Sequence, residues 1–215
     1  REQIALTTYR AELNGRTDEA AARQARYGFF RERYMIIKAD GLILAHHADD
    51  QAETFLMRLL RGAGSEGLEC MREDETVDRI RILRPMLRIR RNEIRVALQE
   101  DGIEWREDST NSDTAYLRNR IRHELIPALE DISASAVDKI CRTASLLAGD
   151  NDELNEEAEK LLRDNAKGDI LNVPEIARTS DALRRRVLRQ WWNREGPVLE
   201  EHTLNAAQTE ALNTL

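Results

Sequence analysis

The sequence predicts an α/β domain over residues 1–130 followed by a mainly α-helical domain over residues 131–215, and three observations point there. Leu42, Ile43, Leu44 and Ala45 form a short continuous apolar run, the pattern of a strand buried on both faces. A polar turn follows. From Asp49, a good N-cap, Ala52, Phe55, Leu56, Leu59 and Leu60 then keep helical spacing until Gly62 and Gly64 stop the helix. Beyond about residue 131 the apolar residues recur only at helical spacing: Val137, Ile140, Ala144 and Leu147, then Leu154, Ala158, Leu161 and Leu162, then Leu183, Val187, Leu188 and Trp191.

The remaining elements fit the same frame. Thr17, Asp18 and Glu19 place a cap and negative charge ahead of an alanine-rich helix over about 18–38, striped by Ala22, Ala25, Phe29 and Ile36 and broken at Asp40 and Gly41. Residues 81–85 read as a second short strand. Ile94, Ala97 and Leu98 line a helix closed by Gly102 in the left-handed cap position. After a polar loop over 104–113, Leu117, Ile121 and Leu125 mark a helix that Pro127 ends or kinks. Trp191 continues the stripe of Leu183 and Val187 and is expected in a core, with Trp192 beside it more exposed.

Composition bounds the function. A chain of 215 residues with 41% apolar content can build a sizeable core. No apolar run approaches the roughly 20 residues needed to span a bilayer, so no membrane is expected and the cytoplasm is the default compartment. Cys70 and Cys141 stand too far apart in sequence for a metal or redox pair and read as reduced, buried thiols. The net charge of -7 opposes indiscriminate adhesion to nucleic acid, yet the signs are segregated. Arg79, Arg81, Arg84, Arg88, Arg90, Arg91 and Arg95 meet only Glu93 as local opposition, whereas residues 150–159 are strongly acidic. An arginine stripe can track a polynucleotide backbone through bidentate phosphate contacts, or can be a solvated face.

The chemistry-bearing residues cluster where the first strand gives way to its helix, the place where open α/β sheets bind ligands. His46, His47, Asp49, Asp50 and Glu53 put five ionisable or imidazole groups within eight residues, more than helix capping requires. Asp49 and Glu53 are one helical turn apart, as are Asp50 and Thr54, so the carboxylates project from the helix start. Asp49 and Asp50 suit a magnesium ion on nucleotide phosphates better than zinc, which would want more nitrogen or sulfur ligands. Arg58 and Arg61 extend the polar face of the same helix, next to Gly62, Gly64 and Gly67.

The segment LILAHHADDQAETFLMRLLRGAGSEGLECM closely resembles the matching part of bacterial tRNA(Ile)-lysidine synthetases, a family of the PP-loop ATP pyrophosphatase group. DEAAARQARYGFF, with Arg23, Arg26 and Tyr27, is similar to the family's preceding helix, and LRPMLRIRRNEI and WREDSTNSDTAYLRNRIRHELIP resemble its following segments in order. Together these cover about residues 18–130; the helical remainder is similar in length and texture only.

The resemblance implies a Rossmann-like PP-loop ATPase domain. It implies ATP-dependent ligation of free L-lysine to C2 of the wobble cytidine, position 34, of an isoleucine tRNA with a CAU anticodon, through an adenylate that releases AMP and pyrophosphate. His46, Asp49, Asp50 and Glu53 would be catalytic, with ATP held in part by Arg23, Arg26, His47, Arg58 and Arg61 and Mg2+ by Asp49 and Asp50. The carboxylates could equally receive the lysine ammonium. Arg88, Arg91, Asn111, Arg118, Asn119, Arg120 and Arg122 would hold tRNA or adenylate. The family's Ser-Gly-Gly-x-Asp-Ser loop should precede the helix at 18–38, and no Ser-Gly-Gly occurs in the chain, so the domain is expected to be incomplete at its N-terminus. A homodimer is left open. The rivals are another PP-loop tRNA-modifying enzyme, of which thiolases usually need paired cysteines, and a non-catalytic tRNA-binding module.

Overall fold

The computed structural model describes residues 5–11, 19–106, 116–167 and 170–195. Within that span α1 (Glu19–Ile37), β1 (Leu42–Ile43), α2 (Ala48–Leu60) and α3 (Ser65–Leu68) are followed by β2 (Asp74–Val77), β3 (Ile80–Leu83) and α4 (Arg91–Glu100). Next come α5 (Leu117–Arg120), a π turn (Ile121–Leu125), α6 (Ile126–Ile132), α7 (Ala136–Asn165), β4 (Ala166–Lys167), β5 (Ile170–Leu171), α8 (Val173–Ile176) and α9 (Asp181–Glu195). They form two compact units, Arg1–Met57 with Cys70–Cys141, and Arg58–Glu69 with Arg142–Leu215. The units interleave in sequence, so the change of texture near residue 131 lies inside the first.

In the first unit the sheet order is β1-β3-β2, with β1 parallel and β2 antiparallel to β3. The parallel β1–β3 pair aligns Leu42 with Ile82 and Ile43 with Leu83, and the ladder continues through Leu44 N–H donating to Leu83 O at 2.9 Å. The apolar run 42–45 is a strand, but the expectation of burial on both faces is corrected. Ile43 is 67% exposed, because β1 is an edge strand among the described residues and its outward side chain meets no covering layer there.

Strand β2 has no counterpart in the sequence reading. Its hairpin to β3 turns on Asp78 and Arg79, both at positive φ (51° and 67°), the two-residue geometry that usually selects Asn-Gly. Arg79, counted in the arginine stripe, is thus a turn residue.

The core of this unit lies under α2. Ala48, Ala52 and Leu56 pack with Ile121, Ile126 and Val137, and Phe55 is buried as the stripe predicts, but Leu59 and Leu60 at its C-terminal end are exposed. Helix α1 differs: Ala21 is buried, but Ala22 and Ile36 of the expected stripe are exposed and Ala25 and Phe29 only partly covered. Pro127 does not end its helix. It sits in the first turn of α6, where its missing N–H is harmless, and the irregularity is the π turn before it.

In the second unit Ala158 and Leu162 of α7, Ile176 of α8, and Leu183 and Val187 of α9 form one cluster with Trp191 against it. Trp192 is partly buried too. The stripes beginning at Val137 and Leu154 belong to the single 30-residue helix α7. The antiparallel β4–β5 pair is a small addition to a unit otherwise helical as expected. No helix among the described residues is long and apolar enough to cross a membrane.

Candidate active site

The turn from β1 into α2 places the acidic cluster, and its first feature is a cap. His47, not Asp49, is the N-cap of α2: its Nδ1 accepts the Asp50 N–H at 3.3 Å, while Asp50 Oδ2 accepts the His47 N–H at 3.1 Å. This is the reciprocal logic of a capping box, with imidazole and carboxylate in place of serine and glutamate. Asp49 is free of the cap. Its Oδ2 accepts the Arg91 N–H at 2.7 Å and its Oδ1 faces Arg90 Nη2 at 3.2 Å. Burial pulls the Asp49 pKa upward, but the Arg91 amide and the Arg90 guanidinium outweigh it and hold the carboxyl below its usual range.

One turn on, Glu53 is 0% exposed and surrounded by arginines. Its Oε1 accepts from Arg91 Nη2 at 2.9 Å and Arg122 Nε at 2.7 Å; its Oε2 accepts from Arg118 Nε at 2.8 Å and Arg122 Nη2 at 3.0 Å. Burial alone would raise its pKa, but these guanidiniums lower it, so the carboxylate is ionised. Arg118 and Arg122 are four residues apart, one on α5 and one in the π turn, and both reach the same carboxylate. Asp50 Oδ1 is held loosely by comparison, 3.5 Å from Arg118 Nη2 and 3.8 Å from Arg122 Nη2.

His46 lies across from this cluster. Arg84, 3% exposed, donates from Nε to His46 Nδ1 at 3.2 Å and from Nη1 to Arg72 O at 2.9 Å, and its Nη1 lies 2.6 Å from Glu75 Oε1. By its place in the sequence Arg84 is one more member of the arginine stripe. The signal that would have found it is period two: Ile80 and Ile82 face inward, and Arg84 continues that face.

The other predicted residues are dispersed. The stripe's opposition comes from other elements: Arg81 pairs with Asp74, Arg88 with Glu73, and Arg90 with Asp49 and Glu130. Arg120 faces Glu124 of the π turn, and Asn119 is buried beside it. Arg58 donates to Gly67 O at 2.7 Å, closing the glycine-rich turn, and Arg61 is exposed after α2. On α1, Arg23 lies over the Tyr27 ring at 4.8 Å, and Arg26 borders an open hollow of about 250 Å³ with Tyr9 and Phe29. Asn111 lies outside the described residues. Gln51, missed in sequence, clamps Met71 through both its amide atoms at 2.9 and 3.0 Å.

A cation would find little here beyond Asp50. Both Asp49 oxygens are engaged, and no group of three His, Cys, Asp or Glu side chains among the described residues could enclose a metal. One loosely held carboxylate oxygen fits a magnesium ion that arrives on nucleotide phosphates, which needs few protein ligands.

Comparison with known proteins gives this arrangement a context. Residues 171–215 match the family model described as the TilS substrate binding domain. The chain is 43% identical over 177 residues to a tRNA(Ile)-lysidine synthase of Geobacter sulfurreducens, covering 80% of this chain and 37% of that one. It is 37% identical over 205 residues to that of Pseudomonas syringae pv. tomato, covering 87% and 44%, and 35% identical over 208 residues to that of Chlamydia pneumoniae, covering 93% and 64%. It therefore spans between about two fifths and two thirds of the length of these relatives. Residues 2–129, which carry the whole β1–α2 cluster and its arginines, match the PP-loop domain model, and the chain belongs to the PP-loop domain family.

Proposed function

We propose that this chain carries the nucleotide-activating part of a tRNA(Ile)-lysidine synthetase, with residues 1–130 as the catalytic domain and 131–215 helping to hold tRNA. The reaction joins free L-lysine to C2 of cytidine 34 in the isoleucine tRNA with a CAU anticodon. The C2 oxygen attacks the α-phosphorus of ATP and pyrophosphate leaves; the lysine amine then attacks C2 and AMP leaves. The observation that carries this reading is the β1–α2 turn, where a buried carboxylate holds arginines around His46 and Asp50, in a chain similar over most of its length to proteins of that name.

The arrangement suits stabilisation of phosphate charge. Arg23 and Arg118 act on His46 electrostatically, and they would neutralise the nucleotide as negative charge builds on its phosphates. Glu53, with both oxygens taken, acts through its arginines as a positioning residue, as Asp49 does through Arg90 and the Arg91 amide. Asp50 Oδ1 is the oxygen available to a cation, the nucleotide's magnesium or the lysine ammonium. Magnesium, when bound, would supply charge neutralisation on the leaving pyrophosphate. Thiolate chemistry at Cys141 finds no support, since burial pushes that thiol up to about 11.

The test is lysine- and ATP-dependent conversion of cytidine to lysidine in a transcript of that tRNA by the full-length protein, read by nucleoside mass spectrometry with AMP release. Modified nucleoside and AMP in equal amounts are expected. Binding of the transcript without AMP release would favour a non-catalytic tRNA-binding module.

A further inference from the structure

The arginine buried at the end of β3 has a consequence for the chemistry of His46. A guanidinium has donors only and stays protonated, so the Arg84 Nε–H contact at 3.2 Å requires His46 Nδ1 to be a lone-pair acceptor. The imidazole proton is then on Nε2, and among the described residues Nε2 has no hydrogen-bond partner. Arg84 is itself held in place: its Nη1 donates to the Arg72 carbonyl and faces Glu75, and the residue is 3% exposed.

We propose that Arg84 is a positioning residue that locks His46 as a neutral Nε2–H donor, so that His46 binds an anionic phosphate oxygen of the nucleotide and does not serve as the base for the lysine amine. To accept a proton His46 would have to use Nδ1, and that lone pair is engaged. The charges acting most strongly on His46 agree with an anionic ligand: Arg84, Arg118 and Arg23 against Asp50. Burial, opposed by Asp50 and reinforced by these arginines, also keeps the ring below its ordinary 6.5.

This inference rests on the nucleotide-activating reading, and its test separates the two. In the full-length protein labelled with 15N-histidine, long-range proton–nitrogen spectra at pH 7 are expected to show His46 with protonated Nε2 and bare Nδ1. A proton on Nδ1, or an imidazolium, overturns the proposal whether or not the protein is active. Arg84→Met and His46→Ala are each expected to raise the KM for ATP roughly tenfold, the loss of one charge-supported hydrogen bond. The double variant is expected to lose no more than the worse single one. Fully additive losses would overturn the coupling. If Arg84→Met does not fold, the wild-type spectrum decides alone. Absence of any ATP-dependent reaction in the wild type would sink the functional reading and leave the tautomer result standing.

Discussion

Each unit centres a polar cluster on a buried charge, a carboxylate in the first, where Arg84 is buried as well, and a guanidinium in the second. In the first, the Glu53 carboxylate is enclosed and Arg91, Arg118 and Arg122 converge on it. In the second, Arg186 is the enclosed charge. Its Nη2 donates to Asn151 Oδ1 at 2.6 Å and to Ser65 Oγ at 3.3 Å, its Nε lies 3.4 Å from Glu66 Oε1, and Arg189 also pairs with Glu66. Asn151, 0% exposed, passes the chain of bonds on to Glu69 at 2.9 Å. The difference lies in what is left over. Three guanidiniums share one carboxylate around Glu53, so cationic groups remain for an anionic ligand beside His46 and Asp50. Around Arg186 the Nη2 hydrogen bonds to Asn151 and Ser65 and the ion pairs to Glu66 tie the turn after α2 to α7 and α9, which is a structural role, although the buried Nε atoms of Arg186 and Arg189 make no hydrogen bond among the described residues.

Removing the shared anion should have the largest effect. Glu53→Gln leaves Arg91, Arg118 and Arg122 without their carboxylate and should cost about 3–5 kcal/mol, seen as a lower denaturation midpoint, together with loss of activity. The same comparison has a pH signature. Because the folded-state pKa of Glu53 is depressed, its stabilisation is complete above about pH 4.5 and is lost as pH falls through the folded value. Thermal unfolding from pH 7 down to pH 3 should therefore show a steeper acid decline in wild type than in Glu53→Gln; parallel curves would remove Glu53 from its place at the centre of the cluster.

Asp50→Asn comes next. The amide oxygen can still accept the His47 N–H, so the cap survives while the charge offered to magnesium or lysine is gone. Turnover should fall roughly a hundredfold or more with tRNA affinity and melting temperature little changed. Unchanged turnover would detach the cluster from catalysis.

In the second unit, Arg186→Met should destabilise by about 1–3 kcal/mol by orphaning Asn151 Oδ1 and leaving Glu66 to Arg189 alone, and should leave kcat unaltered once the protein is folded. A kcat loss in a fully folded variant would mean that this cluster is more than structural.

Arg88→Ala should do least to stability. Arg88 is 83% exposed and its pair with Glu73 is worth under about 1 kcal/mol. If Arg88 meets phosphate, the salt dependence of tRNA binding should flatten by about one unit of slope, whereas an unaltered slope returns it to Glu73 and solvent. Arg91, tied to Glu53, is a poor probe of the same question because its loss disturbs the buried carboxylate.

The legible parts of the site were those governed by local spacing. Asp49, Asp50 and Glu53 follow one strand and open one helix, so their common location could be read from residues 42–60. Their separate roles could not. Asp49 and Asp50 are adjacent and chemically alike, yet Asp49 is engaged by Arg90 and the Arg91 amide while Asp50 completes the cap with His47. Arg84 looked like one more cation in a run because sign counting along a chain ignores the alternation of a strand, which turns every second residue inward. The hairpin at Asp78 and Arg79 escaped because nothing in that pair advertises a left-handed backbone.

By itself the sequence determined the β1–α2 succession, the start of the α2 core stripe, the helical second half and the clustering of polar groups at the β1–α2 turn, since periodicity, caps and glycine stops act over a few residues. Only the tertiary structure decided which charges are partners. Arg118 and Arg122 meet Glu53 across more than sixty residues of chain, and Arg84 meets His46 across thirty-eight. Burial makes those pairings obligatory, because an enclosed charge or lone pair must find its partner wherever the fold brings one.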